Sequence, residues 1–396
     1  MNEFTINNNP QIIINSSKIL FFDDMVVKKD DRTCNIYLGR TTIDKYVIIP
    51  EIGENIINLL KNGYTVNKVF LCLRNKYNDL EENDILDFIN ELIEMNFIKN
   101  AFDKEYESIQ NTSDYGFSFA MKNNTLSRLI FNKYSGFVFI MFSIFTIIVH
   151  LFFMDFSILP SYKEYFWNDS LLLVVLVTPI FDIITGFLHE FFHFLASNLF
   201  SETSTKFSIS HRLLNVVYQT RIKNIWLVPQ KYRLLIYLAG LFFDIVLICF
   251  FMWGTFLFDR SSIIFKFARF AVLYLEFGII FQFKFYMKTD VYYFISDVFN
   301  RPDLFNDSIN AIKGFFIRDK LTCGDRITRV FSLFIICGSF IDIFTTVKYL
   351  IPSVRYYLDA IICGTLKIDN FVSIIFLIVY YSILCYSIIR QRLEKV

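Results

Sequence analysis

Long apolar runs occupy most of the chain after residue 133, and they constrain its fold more than any other feature. As helices that rise about 1.5 Å per residue, six of these runs would each cross a hydrocarbon layer about 30 Å thick. Hydrophobic residues make up 54% of the chain and its mean hydropathy is +0.43, which is typical of membrane proteins. We therefore predict that 133–396 is α-helical and polytopic, with transmembrane helices near 134–157, 170–199, 232–257, 262–288, 328–351 and 370–390.

Basic residues in the connections predict how these helices are oriented. The connections 200–231 and 289–327 carry five Lys or Arg residues each, whereas 158–169, 258–261 and 352–369 together carry four. Because Lys and Arg collect in cytoplasmic loops, the two basic connections are expected in the cytoplasm. The C-terminal RQRLEKV is also basic, so we predict a multi-pass protein of the cell membrane with both termini in the cytoplasm.

Charge and cysteine content exclude two other classes of protein. The net charge of +1 gives no electrostatic reason to expect nucleic acid as a partner. The seven cysteines are scattered singly without a CxxC spacing, which argues against a disulfide framework or a cysteine zinc site.

The N-terminal part of the chain has a different character. After a polar tail, 1–17, three short runs rich in Val, Ile, Tyr and Phe predict three strands: KILFFDDMVVKK, CNIYLGRTT and DKYVIIP. Pro50 and Gly63 delimit a first helix, and Thr65 is a suitable N-cap for a second. A third helix is indicated by an apolar stripe made of Ile85, Phe88, Ile89, Leu92 and Ile93.

Three strands followed by three helices suffice for a small soluble domain. We predict that residues 18–100 form an α+β, winged-helix-like domain in the cytosol. The polar stretch 101–132 is then a linker or juxtamembrane segment.

Three polar side chains interrupt the second apolar run in the stretch FLHEFFHFLA. His189 and His193 are four residues apart and lie on one helix face, so both imidazoles can bind one ion, while Glu190 can take up the proton of an activated water. This is the H-E-x-x-H pattern of two zinc ligands and a general base. With 4 His in 396 residues, a chance match is expected roughly once in a thousand such chains.

A structural role for the three polar residues is the alternative, since buried polar clusters also hold membrane helices together or relay protons. Ionisable groups inside a membrane helix are costly and usually functional, which favours the metal site. The remaining histidines, His150 and His211, are expected to have structural or solvated roles.

A catalytic zinc site needs a third protein ligand and an open position. Asp290 lies about as far from the cytoplasmic end of an extended fourth helix as His189 and His193 lie from the end of theirs, so we predict it as the third ligand. Asp182 precedes His189 by seven residues, on the same face but about 10 Å away. We expect Asp182 to support the site or contact substrate, and Asp244 to lie at a different depth.

These residues resemble the site-2 protease group of intramembrane zinc metallopeptidases. The stretch MKTDVYYFISDVFN is similar to a K-[ST]-D-x-Y-Y-x-[IL]-x-D segment of the peptide zinc metalloprotease branch, which implies Asp290 as a ligand of Zn²⁺. Gln282 falls where the main group has an Asn that clamps substrate, so the resemblance implies a substrate-binding role for Gln282. The segment KFSISHRLLNVVYQTRIKNIWLVP resembles the hairpin with which these enzymes hold an extended peptide.

The N-terminal domain resembles the PqqD-like recognition element of systems that make ribosomal, modified peptides such as bacteriocins. The resemblance implies that a leader peptide adds as a strand near the third strand and third helix. A generic winged-helix domain without a peptide ligand is the alternative.

Together the two resemblances imply a zinc endopeptidase that binds and cleaves a ribosomally made precursor peptide at the cytoplasmic leaflet. An ABC exporter and a peptide-modifying enzyme are the implied partners, besides the lipid bilayer. Two alternatives stay open: a membrane protein for peptide export or immunity that does not cut, and a protease that cleaves a membrane-anchored regulator.

Overall fold

The computed structural model describes residues 18–30, 34–102, 104–107, 117–119, 125–153, 160–200, 203–212, 215–301, 303–317 and 325–362, with a few further positions between 372 and 382. The chain divides into two compact units. The first contains the described residues up to 107 together with Lys223–Gln230, and the second contains the others.

The first unit is built from two small antiparallel sheets and three helices. One sheet has the strand order β1–β5–β6 and the other the order β2–β3–β4. The strands are β1 (Leu20–Phe21), β2 (Met25–Lys29), β3 (Ile36–Arg40), β4 (Lys45–Ile49), β5 (Ile98–Ala101) and β6 (Lys104–Glu105). The helices are α1 (Glu51–Lys61), α2 (Val66–Arg74) and α3 (Glu82–Glu94). The three predicted helices follow the predicted strand region, but the first predicted strand is divided into β1 and β2, and two further strands follow α3.

The core of this unit follows from the apolar periodicity of its elements. Ile36 and Leu38 are two residues apart on β3, so their side chains lie on the same face of the sheet. They belong to the same buried cluster as Ile57 of α1, which is fully buried. Along α3 the predicted stripe is the buried face, with Ile85, Ile89 and Leu92 fully buried and Phe88 and Ile93 packed beside them.

The opposite face of the β2–β3–β4 sheet is covered by Lys223–Gln230, a segment distant in sequence. The indole of Trp226 stacks on the ring of Tyr37 with centroids 5.5 Å apart. The hydroxyl of Tyr46 donates to Asn224 Oδ1 at 2.7 Å. These residues were predicted to belong to a connection between two membrane spans, and only the fold shows that they complete the first unit.

Gly39 provides a test of this packing, because the ring of Tyr46 lies over it on the neighbouring strand. A Cβ atom at residue 39 would come within 2.1 Å of that ring. We expect Gly39→Ala to lower the free energy of unfolding of the first unit by about 1–3 kcal/mol. Hydrogen exchange of the β2–β4 amides in the whole protein measures this loss. In a Tyr46→Ala background the substitution should be nearly neutral, and an equal loss in both backgrounds would contradict the packing argument.

The second unit is mostly helical and contains one small sheet. The strands β7 (Phe117–Phe119), β8 (Ser204–Arg212) and β9 (Asn215–Lys223) form a sheet in the order β7–β8–β9. The helices are α4 (Thr125–Ile130), α5 (Lys133–Phe153), α6 (Leu171–Ser197), α7 (Gln230–Leu257), α8 (Ile263–Gln282), α9 (Asp290–Val298), α10 (Leu304–Ile317), α11 (Arg326–Thr345) and α12 (Ile351–Ile362). A π-helical turn, Thr346–Leu350, joins α11 to α12.

Four helices within the described residues are long and apolar enough to cross a membrane. They are α5, α6, α7 and the continuous run Arg326–Asp359. These four match the first, second, third and fifth predicted spans. The sixth, 370–390, lies almost entirely outside the described residues.

The fourth predicted span, 262–288, forms a helix but differs from the prediction in two ways. Any 18 consecutive residues of α8 include three charged side chains, Lys266, Arg269 and Glu276, and α8 is not among the four candidate membrane-spanning helices. The helix also ends at Gln282, and a 3₁₀ turn (Phe285–Met287) separates it from α9. The prediction that Asp290 lies within an extended fourth helix is therefore wrong.

The stretch predicted as a linker, 101–132, is not devoid of regular structure. It contains β6, β7 and α4, and β7 pairs antiparallel with β8. The connection 289–327 likewise contains two helices, α9 and α10, and the first of these carries Asp290.

Candidate metal centre

The two histidines of the H-E-x-x-H pattern lie side by side on α6. This helix starts after Ser170, whose hydroxyl accepts a hydrogen bond from the amide of Leu173, and it runs unbroken to Ser197. The four-residue spacing brings the rings of His189 and His193 to a centroid separation of 5.0 Å. Both side chains are buried.

A turn between α8 and α9 brings Asp290 close to these rings. Lys288 has a left-handed backbone with φ of 51°, which turns the chain before α9 begins at Asp290. The turn is held by Gln282, whose Oε1 accepts from the amide of Asp290 at 3.1 Å and whose carbonyl accepts from Thr289 Oγ1 at 2.6 Å.

Three potential ligand atoms form a nearly equilateral triangle. The Nε2 atoms of His189 and His193 are 3.2 Å apart, and Asp290 Oδ2 lies 3.1 and 3.2 Å from them. A tetrahedral zinc ion with bonds of about 2.0–2.1 Å needs ligand atoms about 3.3 Å apart. The described residues can therefore hold a metal ion at His189, His193 and Asp290, as predicted.

The other ring nitrogens fix which atoms face this triangle. His193 Nδ1 lies 2.7 Å from the carbonyl oxygen of Ile236, which can only accept, so Nδ1 donates and Nε2 of the neutral ring carries a lone pair. His189 Nδ1 lies 2.7 Å from Asp244 Oδ2. A carboxylate behind a ligating imidazole orients the ring and raises its basicity.

These contacts leave two lone pairs and a carboxylate facing one another in a buried place. Such a cluster is repulsive unless a cation lies among its members, and either a metal ion or a proton meets that need. The alternative, in which these polar residues hold helices together or relay protons, therefore also needs a bound cation. That cation would be a proton instead of a metal ion.

One face of α7 supports the whole cluster. Asp244 and the Ile236 carbonyl orient the two imidazoles, and Gly240 lies between them. At the start of the same face, Arg233 donates two hydrogen bonds to Asp297 of α9, with Nε–Oδ2 of 2.9 Å and Nη2–Oδ1 of 2.7 Å. This ion pair is almost completely buried and anchors the helix that begins with Asp290.

Gly240 allows α7 to approach the imidazoles closely. A Cβ atom there would lie 2.4 Å from His189 Nε2 and 2.5 Å from His193 Nε2. No residue with a side chain fits at this position without displacing the rings.

Glu190, the predicted general base, follows His189 on α6. Its carboxylate interacts electrostatically with both imidazoles and with Asp290. Its backbone carbonyl accepts a hydrogen bond from Thr220 Oγ1 of β9 at 3.2 Å.

The other predicted candidates lie in different places. Gln282 shapes the turn before Asp290, and Asp182 accepts hydrogen bonds from Tyr218 and Tyr274. His150 has a structural environment, with its ring nitrogens 2.9 Å from the Thr146 carbonyl and 2.7 Å from the Met252 carbonyl. His211 is in β8, and its side chain lies outside the described residues.

Sequence reasoning missed three supporting residues. The expectation that Asp244 lies at a different depth from His189 is wrong, since the two are in direct contact. Arg233 and Gly240 were not predicted as site residues. Gly240 follows Arg233 by seven residues and Asp244 follows Gly240 by four, so all three lie on one helix face. This spacing was the sequence signal that could have identified them as supporting residues.

Comparison of the chain with protein-family models, curated proteins and solved structures finds no match. The geometry of the centre therefore carries the functional argument.

Gly240→Ala should abolish metal binding, because the added methyl group occupies the space between the two Nε2 atoms. Metal content of the purified protein, measured by mass spectrometry of the metal, tests this. Gly278→Ala is the matched control, since Gly278 also lies in a helix of this unit but a Cβ there meets nothing within 4 Å. Full metal occupancy in the Gly240→Ala protein would refute the site.

Asp244→Asn should weaken metal binding by about 10–100-fold, because the amide stabilises the ligating form of His189 less well. Competition with a chelator of known affinity measures the change. Glu164→Gln is the control, because Glu164 is a carboxylate of the same unit that pairs with Arg269 at 3.2 Å and not with either histidine or the turn before Asp290. Equal affinities for the two variants would show that Asp244 does not support the centre.

Proposed function

We propose that this chain is a membrane-embedded zinc metallopeptidase of the site-2 protease kind that cleaves a ribosomally made precursor peptide. The triangle formed by His189 Nε2, His193 Nε2 and Asp290 Oδ2 carries the proposal. Its edges of 3.1–3.2 Å match three ligands of one tetrahedral ion.

The donor set favours zinc over magnesium and calcium. Two imidazoles and one carboxylate with an open fourth position are typical of catalytic zinc, whereas magnesium and calcium prefer oxygen ligands throughout. The approach of α7 at Gly240 closes one side of the triangle, so the open position is on another side.

Glu190 is the general base of the proposed reaction. A zinc ion at this site would supply a Lewis acid that polarises the scissile carbonyl and acidifies a water. Glu190 takes the proton from the attacking water and passes it to the leaving amine. Asp244 and the Ile236 carbonyl keep the two imidazoles oriented while charge develops.

The first unit is proposed to capture the leader part of the substrate. Strand β4 is at the edge of its sheet, and within the described residues it pairs only with β3. An extended peptide can add to such an edge through backbone hydrogen bonds, while pockets for alternate side chains give selectivity. Recognition by the leader and cleavage by the zinc site would then act on the same peptide.

The proposed protein crosses the membrane six times with both termini in the cytoplasm. The four long apolar helices support membrane insertion, and the basic connections support this orientation. Cleavage would then occur toward the cytoplasmic leaflet. It would be coupled to export of the peptide through an exporter of the ABC type, and a peptide-modifying enzyme would act before or after the cut.

Glu190→Gln should retain bound zinc but lose about 100-fold or more of the rate of peptide cleavage, because the amide cannot accept the proton. Purified protein in detergent is incubated with β-casein, an unfolded and therefore extended polypeptide, and the fragments are identified by mass spectrometry. Glu276→Gln is the control, since Glu276 is also a half-buried carboxylate in a helix of the second unit.

The same variant distinguishes the alternatives when peptides that co-purify with it are sequenced. A small precursor-like peptide supports the proposal, and a fragment of a membrane-anchored regulator supports regulated intramembrane cleavage. Cleavage by the wild type that persists in Glu190→Gln would reject the proposed base. Absence of cleavage by the wild type would favour a binding protein for export or immunity.

A further inference from the structure

We propose that Asp182 is a positioning residue that fixes strand β9 along α6 and thereby sets which peptide bond of an extended substrate faces Glu190. The inference rests on the proposed peptidase function and assigns a role to a carboxylate that the zinc chemistry does not use. Of the two roles expected from the sequence, support of the site and contact with substrate, it assigns the first.

Both oxygens of Asp182 accept hydrogen bonds from phenols on other elements. Tyr274 of α8 donates to Oδ1 at 2.6 Å, and Tyr218 of β9 donates to Oδ2 at 3.1 Å. The carboxylate therefore joins three elements: α6, α8 and the hairpin strand.

Strand β9 follows α6 in register from this cluster to the general base. The ring of Tyr218 lies against Gly186, where a Cβ would come within 2.4 Å of it. Two residues later, Thr220 Oγ1 donates to the carbonyl oxygen of Glu190, which is four residues after Gly186. Two strand residues span about 6.6 Å and four helix residues about 6 Å, so the strand and the helix advance together.

Strand β9 is at the edge of its sheet, in the strand order β7–β8–β9. A peptide paired there would take its register from β9, and a two-residue slip would move it by about 6.6 Å. Such a slip would present a different peptide bond to Glu190.

The hydrogen bonds at Asp182 oppose this slip together with the packing of Tyr218. The ring fits against α6 at Gly186, where there is no Cβ, and its hydroxyl donates to the carboxylate of Asp182. A carboxylate in an apolar environment also gains more from two hydroxyl donors than it would in water.

Tyr218→Phe tests the inference because it removes the hydroxyl and leaves the ring over Gly186. With β-casein as the probe, we expect the variant to keep the zinc content of the wild type, to cut about tenfold more slowly, and to spread its cuts over neighbouring peptide bonds. Tyr274→Phe keeps the Tyr218–Asp182 bond and should spread the cuts less. Tyr349→Phe is the control, since Tyr349 is a buried tyrosine of the same unit that packs against Phe277 of α8.

The distribution of cut sites separates the possible outcomes. Slower cleavage at unchanged sites by Tyr218→Phe would show that the hydroxyl is only structural and would overturn the inference while leaving the peptidase intact. Loss of zinc from Tyr218→Phe would also overturn it, since the cluster would then support the metal centre. No cleavage by the wild type would reject the peptidase function and this inference together.

Discussion

The close approach of α7 to α6 at Gly240 is the constraint on which the rest of the centre depends. Without a side chain at this position, the helix backbone comes near enough for the Ile236 carbonyl and Asp244 to reach the outer nitrogens of His193 and His189. These two contacts hold the rings with both Nε2 atoms facing inward. Bulk water does not reach such buried groups, so each polar atom among them needs a protein partner or a bound ion.

The third ligand depends on a different arrangement, since Asp290 begins a short helix instead of continuing a long one. The turn that delivers it is fixed by Gln282, and the helix it starts is anchored by the buried pair of Arg233 and Asp297. Removing one partner of such a pair leaves an uncompensated charge and costs about 3–5 kcal/mol. The structure thus uses other charged groups to hold these backbone segments in place, and the three potential metal ligands do not have that task.

Much of the fold and the core of the site could be predicted because local patterns encode them. Apolar length predicted four of the long helices, strand alternation and the stripe on α3 predicted the first unit, and the four-residue spacing of His189 and His193 predicted a shared face. The predictions failed where geometry depends on distant partners. The end of α8 at Gln282 is set by its contacts with Thr289 and Asp290, and no hydropathy pattern reports those contacts.

By itself the sequence determined which chemistry is available: two imidazoles and a carboxylate on one apolar helix, and a second carboxylate at Asp290. Helical periodicity is a local property, so two ligands on one helix are visible in the sequence. Only the tertiary structure decided that Asp244 supports His189, that Gly240 admits the rings, and that Asp182 binds two phenols. These contacts join residues on different elements, and their formation depends on helix packing that a one-dimensional pattern does not contain.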